Sequence, residues 1–208
     1  MRILYQFPTW LQRCYPNVLW RKDSTRKIVY LTFDDGPIEG VTTEILAILR
    51  RYDVKATFFC VGDNIRKHPD IFELILSEGH SVGNHTYHHL PGWQTPVKAY
   101  IDDVRSTDEL MSNYGVLPRL FRPPYGRMSL SQKHQIAATH KIVLWDVLTH
   151  DYNPRYTPQK ILGIVRRYTR AGSVINFHDS VKSEKIVISA LPECIKWLMS
   201  EGYSFDKL

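Results

Sequence analysis

The chain has 208 residues, a net charge of +6 and 43% hydrophobic residues, enough for one domain whose core needs no disulfide or metal staple. A mean hydropathy of -0.29, with no apolar run near the ~20 residues of a membrane helix, excludes an integral membrane segment. Cys14, Cys60 and Cys194 stand far apart in no C-x-x-C pattern and the basic residues are scattered, which excludes a disulfide framework, a cysteine zinc site and a nucleic-acid partner.

Residues 1–27 are aromatic and basic without periodicity, and are expected to cap one end of a domain spanning 28–208. Gln6 and Pro8 interrupt the first apolar stretch before a signal-peptide core can form. The default compartment is therefore cytoplasmic, with action at the cell envelope left open. The β-branched and aromatic run Ile28 to Phe33 predicts a buried strand, closed by Gly36-Pro37, with Asp34 and Asp35 at its carboxyl end. Thr42 or Thr43 is expected to cap a helix with Ile45, Leu46, Ile48 and Leu49 inward. A strand over Ala56 to Val61 follows, then a helix opened by His68-Pro69 and ended by Gly79, then a short strand from His80 to Gly83.

Thr95-Pro96 signals the next helix, running to Gly115. Leu117 to Phe121 reads as a strand, Ser131 to His140 as a helix, and Lys141 to Val147 as one strongly apolar strand. Thr157-Pro158 repeats the helix-start signal, with Gly172 as the stop. Ser173 to Phe177 is a strand ending at His178-Asp179. Ile186 to Met199 is helical around Pro192, which should kink it or open a second helix. Tyr203 to Phe205 closes the sheet. Strands and helices thus alternate about seven times, which predicts an α/β domain with a parallel sheet, open or closed into a barrel.

At the mouth of such a sheet, where the strands' carboxyl ends converge, adjacent carboxylates are a site hypothesis. His85 and His89, four apart in Asn84-His85-Thr86-Tyr87-His88-His89, are expected on one face of a helical turn, where they could share a metal ion with a carboxylate. His88 falls on the other face, and Asn84-His85-Thr86 also matches a glycosylation pattern, though a strand-end site would be hidden from that machinery. In Arg122-Pro123-Pro124-Tyr125-Gly126, the stiff Pro-Pro can aim the Tyr125 N–H at developing negative charge while Arg122 pairs with a carboxylate. Asp151 and His178 follow consecutive strands, as a carboxylate that orients a proton-donating histidine would.

Together these motifs resemble the polysaccharide deacetylases of the NodB-homology type, carbohydrate esterase family 4. The resemblance rests on Thr32-Phe33-Asp34-Asp35-Gly36, on His85 to His89, on Arg122 to Gly126, on Asp151 and on His178-Asp179. It implies a distorted (β/α)7 barrel, related to the TIM barrel, in a single domain. It also implies a divalent metal, zinc first with cobalt or nickel as alternatives, and removal of N-acetyl or O-acetyl groups from an amino-sugar polymer or oligomer. Asp35, His85 and His89 match the metal ligands and Asp34 the general base. Arg122 matches the residue that tunes that base, Tyr125 the oxyanion donor, His178 the general acid and Asp151 its partner.

Two departures from the family pattern concern the substrate. Leu148 to Tyr152 replaces Asp-Ser-x-Asp-Trp, so the first Asp is missing and Tyr152 stands for the Trp. Asn176 stands where a Leu usually precedes the catalytic histidine. Pro124, Tyr152 and Asn176 are therefore expected to line the substrate pocket. An amidase of the same superfamily acting on a small C–N substrate is the nearer alternative, and a non-catalytic carbohydrate-binding barrel the farther one. No G-x-S-x-G elbow or cysteine nucleophile suggests covalent catalysis.

Overall fold

Run by run, the apolar stretches of the sequence pair side by side in one direction. The computed structural model describes residues 5–22 and 25–208, with the Leu11 side chain left out. The elements are α1 (Thr9–Arg13), β1 (Val18–Leu19), β2 (Ile28–Asp34), α2 (Val41–Arg51), β3 (Thr57–Cys60), α3 (Gly62–Lys67), α4 (Pro69–Ser77), β4 (Ser81–Asn84), α5 (Val97–Ser112), β5 (Leu120–Phe121), α6 (Leu130–Ala137), β6 (Lys141–Val143), β7 (Val147–Leu148), α7 (Pro158–Tyr168), β8 (Val174–His178), α8 (Glu184–Ser200) and β9 (Ser204–Phe205). The strands run in the order β1-β6-β5-β4-β3-β2-β8-β7, with β9 on β2. Every one of these pairings is parallel.

The expected single strand over 141–147 is two strands far apart in this order, β6 next to the first strand and β7 the last. Leu144 N–H bonds the Leu19 carbonyl at 2.8 Å, while Asp146 N–H bonds the Val174 carbonyl at 2.9 Å. The chain changes neighbours within three residues, a reach of roughly 10–14 Å. That short crossing draws the two ends of the sheet together and curls it into a distorted (β/α)7 barrel of one domain. The run reads as unbroken because Ile142, Val143, Leu144, Trp145 and Val147 are all buried, whichever edge they serve.

Alternation along β2 separates core from site. Val29, Leu31 and Phe33 face the helices in the main core with Ile45, Leu46 and Leu49 of α2 and Val187 and Leu191 of α8, and Phe33 stacks between Phe58 and Phe177 at 5.0 and 5.8 Å. Thr32 and Asp34, on the opposite face, point into the barrel. Burial of each such Phe or Leu stabilises the fold by about 1.5–3 kcal/mol, and the same period fixes which carboxylate is interior.

Several helix starts differ from expectation. Neither Thr42 nor Thr43 caps α2: Gly40, at φ 81°, occupies the cap position, and the Thr42 hydroxyl accepts from Ile38 N–H at 2.8 Å and donates to Asp179 at 2.8 Å. Thr95 likewise bonds the Pro91 carbonyl at 2.9 Å rather than capping α5. Thr157 does cap α7, accepting from Lys160 N–H at 3.2 Å. Helix α3 was not foreseen because its six residues carry no apolar period; Gly62 and Asp63 N–H groups dock on the Thr86 and Tyr87 carbonyls at 3.0 and 2.9 Å. Pro192 lies inside an uninterrupted α8.

The segment 1–27, expected as a cap, also contributes a strand. Val18–Leu19 is a strand of the sheet, paired with β6, and Phe7 packs on Trp20 and Trp145 at 4.8 and 6.2 Å. Residues 1–4, 23 and 24 of that segment lie outside the described residues. No described helix is long and apolar enough to cross a membrane.

Candidate active site

Because the sheet is parallel, the carboxyl ends of β2, β4, β5, β7 and β8 open at one mouth. There a cavity of about 630 Å³ is lined by Asp34, Asp35, His85, His89, Tyr125, Tyr152 and His178, with His88, Trp145 and Leu148 beside them. Left-handed backbone marks the residues that turn inward: φ is 89° at Asp35, 63° at Thr86, 55° at His89 and 59° at Tyr125. Such conformations cost non-glycine residues about 1–3 kcal/mol each and cluster where a site demands them.

Asp35, His85 and His89 bring one ligand atom apiece to within 4.8 Å of one another. Asp35 Oδ1 lies 3.6 Å from His85 Nε2 and 3.2 Å from His89 Nε2. The helical turn expected for the two histidines is absent: residues 85–89 form an irregular loop, and positive φ at Thr86 and His89 swings the rings together to 5.1 Å. His85 Nδ1–H donates to the Arg122 carbonyl at 2.7 Å, which fixes the tautomer and leaves Nε2 as a ligand. Burial alone would push the Asp35 carboxyl up, but hydrogen bonds from His85 and His89 hold it well below the usual carboxylate range. One carboxylate oxygen and two imidazole nitrogens fit a zinc-type divalent ion, with coordination left over for water or substrate.

Asp34, only 2% exposed, faces the barrel interior. Its Oδ1 accepts from Arg122 Nη1 at 2.6 Å and its Oδ2 from Asn176 Nδ2 at 3.0 Å. Arg122 is completely buried and also donates to the Leu144 carbonyl at 3.0 Å and to Thr32 Oγ1 at 2.9 Å, with its guanidinium 4.0 Å from the Phe59 ring centre. Burial lowers the Arg122 pKa and Asp34 raises it back in part; a guanidinium starts high enough to stay charged. The expected pairing of Arg122 with a carboxylate is thus present, across the barrel from β5 to β2.

Opposite, His178 Nδ1–H donates to Asp151 Oδ1 at 2.8 Å and the His178 backbone N–H to Asp151 Oδ2 at 2.8 Å. Burial would depress this imidazole, but the carboxylates around it, Asp151 foremost and then Asp35 and Asp34, together raise the pKa from 6.5 to about 9. Tyr152 packs edge-on against His178 at 4.7 Å, and its hydroxyl is tied to His150 Nδ1 at 2.9 Å. The Gly126 and Arg127 N–H groups are taken by the Pro123 and Pro124 carbonyls at 2.9 and 3.2 Å, while the exposed Tyr125 ring stands 4.8 Å from His89.

Of the three residues expected in the substrate pocket, Tyr152 lines the cavity and Pro124 and Asn176 do not. Pro124 is covered in the turn. Asn176 is turned down into the barrel by the strand period of β8, one step below His178, and its amide is taken up there. Asn84 is no glycosylation acceptor: it is fully buried, donating to the Val104 carbonyl at 2.8 Å and to Asp108 at 2.7 Å. His88, expected on the far face, borders the cavity with Nδ1 on Asp103 at 2.6 Å. Asp103 also accepts the Tyr87 and His88 N–H groups at 2.8 and 3.0 Å. The sequence hid this support, since Asp103 looks like any charged residue of a helix. Asp179 is similar: burial raises its pKa well above the usual carboxylate range, and it accepts the Gly36 N–H at 2.9 Å directly behind the Asp34-Asp35 pair.

A family model for polysaccharide deacetylases matches residues 21–145. The chain belongs to the polysaccharide deacetylase family. A peptidoglycan N-acetylglucosamine deacetylase of Bacillus cereus is 30% identical over 193 residues, covering 90% of this chain and 89% of the relative. The peptidoglycan N-acetylmuramic acid deacetylase PdaC of Bacillus subtilis is 32% identical over 87% of this chain, which spans 38% of that longer protein. Among solved structures, a peptidoglycan N-acetylglucosamine deacetylase in complex with 4-naphthalen-1-yl-N-oxidanyl-benzamide superposes with a TM-score of 0.89, at 32% identity over 97% of this chain and 95% of that one. A pseudoenzyme of carbohydrate esterase family 4 from Bacillus anthracis superposes with a TM-score of 0.83 at 26% identity, over 95% of this chain and 69% of that one. The fold of this family therefore also occurs without activity, and the family's chemistry has to be read from the side chains.

Proposed function

We propose that this deacetylase removes N-acetyl groups from amino sugars of an acetylated glycan of the peptidoglycan class, by metal-assisted hydrolysis with Asp34 as base and His178 as acid. The observation that carries the reading is the convergence, on one cavity, of the Asp35, His85 and His89 donor set with a buried Asp34–Arg122 pair and a His178–Asp151 pair. An amide is a poor electrophile with a poor leaving group, so its hydrolysis needs an activated nucleophile, a stabilised oxyanion and a proton for nitrogen.

Asp35, His85 and His89 would hold the divalent ion, zinc in the first instance with cobalt or nickel able to suit the same donors. When bound, such an ion supplies Lewis acidity that acidifies water and polarises a carbonyl. Asp34, held by Arg122, accepts the proton of the attacking water. The Tyr125 N–H is assigned to the oxygen that becomes negative, a contribution that in oxyanion sites is commonly about 10²–10³-fold. His178 arrives protonated, because Asp151 raises its pKa, and gives its proton to the departing amine; acid–base groups of this kind contribute typically 10²–10⁴-fold. Tyr125 and Tyr152, which line the cavity, supply aromatic surface for a sugar. A non-catalytic barrel has no use for this whole set of donor, base and acid groups.

The test is acetate release from peptidoglycan fragments, chitin oligomers, acetylated xylan and small amides, with zinc, with chelator, and with zinc restored. Zinc-dependent release from N-acetylated glycans is the expected result. Turnover confined to small amides would favour the amidase reading, and no turnover on any substrate after zinc loading would reduce the chain to a binding barrel.

A further inference from the structure

Asn176 lies on β8 in register with Thr32 of β2, fully buried inside the barrel, and its side-chain amide is engaged at both ends. Oδ1 accepts from Arg122 Nη1 at 2.6 Å and from Thr32 Oγ1 at 3.1 Å. Nδ2 donates to Asp34 Oδ2 at 3.0 Å. Arg122 holds the other oxygen of the same carboxylate, Oδ1, at 2.6 Å.

We propose that Asn176 is a positioning residue for Asp34, fixing the plane of that carboxylate from below, and that it takes no part in the acyl pocket. The inference rests on the hydrolytic reading of the site and adds a residue to it. A carboxylate gripped at one oxygen turns readily about Cβ–Cγ, since that torsion has broad wells. A donor at each oxygen, one from the segment just after β5 and one from β8, removes that freedom. The amide can serve only in one orientation: with O toward the guanidinium and N–H toward the carboxylate, every donor meets an acceptor, whereas the flipped amide would set NH₂ against guanidinium N–H and oxygen against oxygen. Asn176, Arg122 and Asp34 are all buried, so each of these bonds that is lost leaves a buried polar group unmatched. A misplacement of a catalytic group by about 1 Å can cost on the order of 10²-fold in rate, so Asn176 should act on turnover and not on binding.

The experiment pairs kinetics with a measurement that needs neither metal nor substrate. Asn176→Leu removes both hydrogen-bonding ends in a side chain of similar size. Asn176→Asp keeps the acceptor for Arg122 but loses the donor to Asp34. Both should lower kcat by about 10–100-fold, with KM and bound zinc little changed, and Thr32→Val should give a smaller fall in the same direction. In metal-free protein labelled with ¹⁵N-asparagine, one Asn176 side-chain proton should be shifted downfield and protected from solvent exchange, and Asp34→Ala should abolish that signature. An unchanged kcat in Asn176→Leu, a change in KM or acyl preference instead, or a freely exchanging Asn176 amide in the wild type would overturn the proposal. Should Asn176→Leu fail to fold, Thr32→Val and the amide signature still decide. Absence of acetate release by the wild type would sink the proposed activity alone, leaving the amide measurement to judge Asn176.

Discussion

His178 and Asp151 are joined twice, through the imidazole Nδ1–H and through the backbone N–H, each at 2.8 Å. One carboxylate thus sets both the ring orientation and the strand end that carries it. Having both oxygens engaged, Asp151 cannot rotate away, and His178 is held with its ring lining the cavity.

The first prediction is a shift in the alkaline limb of the pH–rate profile. A pKa raised from 6.5 to about 9 keeps His178 protonated through neutrality, so activity should fall as pH rises toward that value; a bound divalent ion would pull the limb lower. Asp151→Asn should move it further toward neutral pH. The same pair bears on stability. The folded-state pKa lies above the ordinary one, so the stabilisation is complete below pH 6.5 and fades as pH rises through about 9. Denaturant melts of wild type and Asp151→Asn should differ more at pH 6 than at pH 10. Superimposable limbs in the two proteins would remove Asp151 from this role.

The second concerns the adjacent carboxylates. Asp35, turned out of the strand at φ 89°, should be required for metal, whereas Asp34, bound to Arg122 and Asn176, should not. Asp34→Asn is expected to keep roughly one metal per chain and lose at least about 10²-fold in kcat. Asp35→Ala and His85→Ala should lose metal and activity together. Metal content by mass spectrometry after dialysis decides it, and the reverse pattern of retention would exchange the two roles.

Arg122→Lys should be severe in spite of conserved charge. The guanidinium reaches Asp34, Thr32, Asn176 and the Leu144 carbonyl at once, a fork that one ammonium cannot reproduce. Breaking a buried pair by removing one partner costs about 3–5 kcal/mol, and a lysine that partly restores charge should recover only a fraction of that. Loss of about 2 kcal/mol or more in chemical denaturation, together with a collapse of kcat, is the expected result; a variant as stable and active as wild type would show the network to be dispensable.

Gly36→Ala tests the support beneath the site. A Cβ there would lie 1.8 Å from Asp179 Oδ2, so the Asp179 carboxylate would have to leave the Gly36 N–H and the Thr42 hydroxyl it now accepts from. Overpacking of this kind typically costs about 1–3 kcal/mol, and the lost buried bonds add to it. A lowered Tm with weakened zinc binding is expected, because Asp35 is the preceding residue. Unchanged Tm and zinc affinity would mean that the loop yields without strain.

Much of this molecule was legible because its chemistry is local in sequence. The β-branched and aromatic run Ile28 to Phe33, closed by Gly36-Pro37, announces the strand β2 and puts Asp34 and Asp35 at its carboxyl end. Thr157-Pro158 announces α7 by cap chemistry that the structure retains. Other signals misled: the spacing of His85 and His89 suggested a helical turn, yet the rings meet through left-handed backbone at Thr86 and His89. Thr42 carried a capping signature but spends its hydroxyl on Asp179. Hydroxyl caps and histidine spacings are short-range tendencies, and a partner brought in from a distant strand overrides them.

By itself the sequence determined which groups the site owns and in what order the strands deliver them, since a parallel sheet puts every strand's carboxyl end at one mouth and the motifs sit at those ends. Only the tertiary structure decided which of these groups meet one another. Asn176, read from its position as a pocket residue, proves to be a buried partner of Asp34 and Arg122, 142 and 54 residues away in the chain. Asp103 and Asp179 gain their places behind the histidine loop and the paired aspartates in the same way. The reason is physical: a period fixes the face on which a side chain lies, but the depth at which it stops and the partner it meets depend on the curl of the sheet, and that curl is set where residues 144–146 cross between its edges.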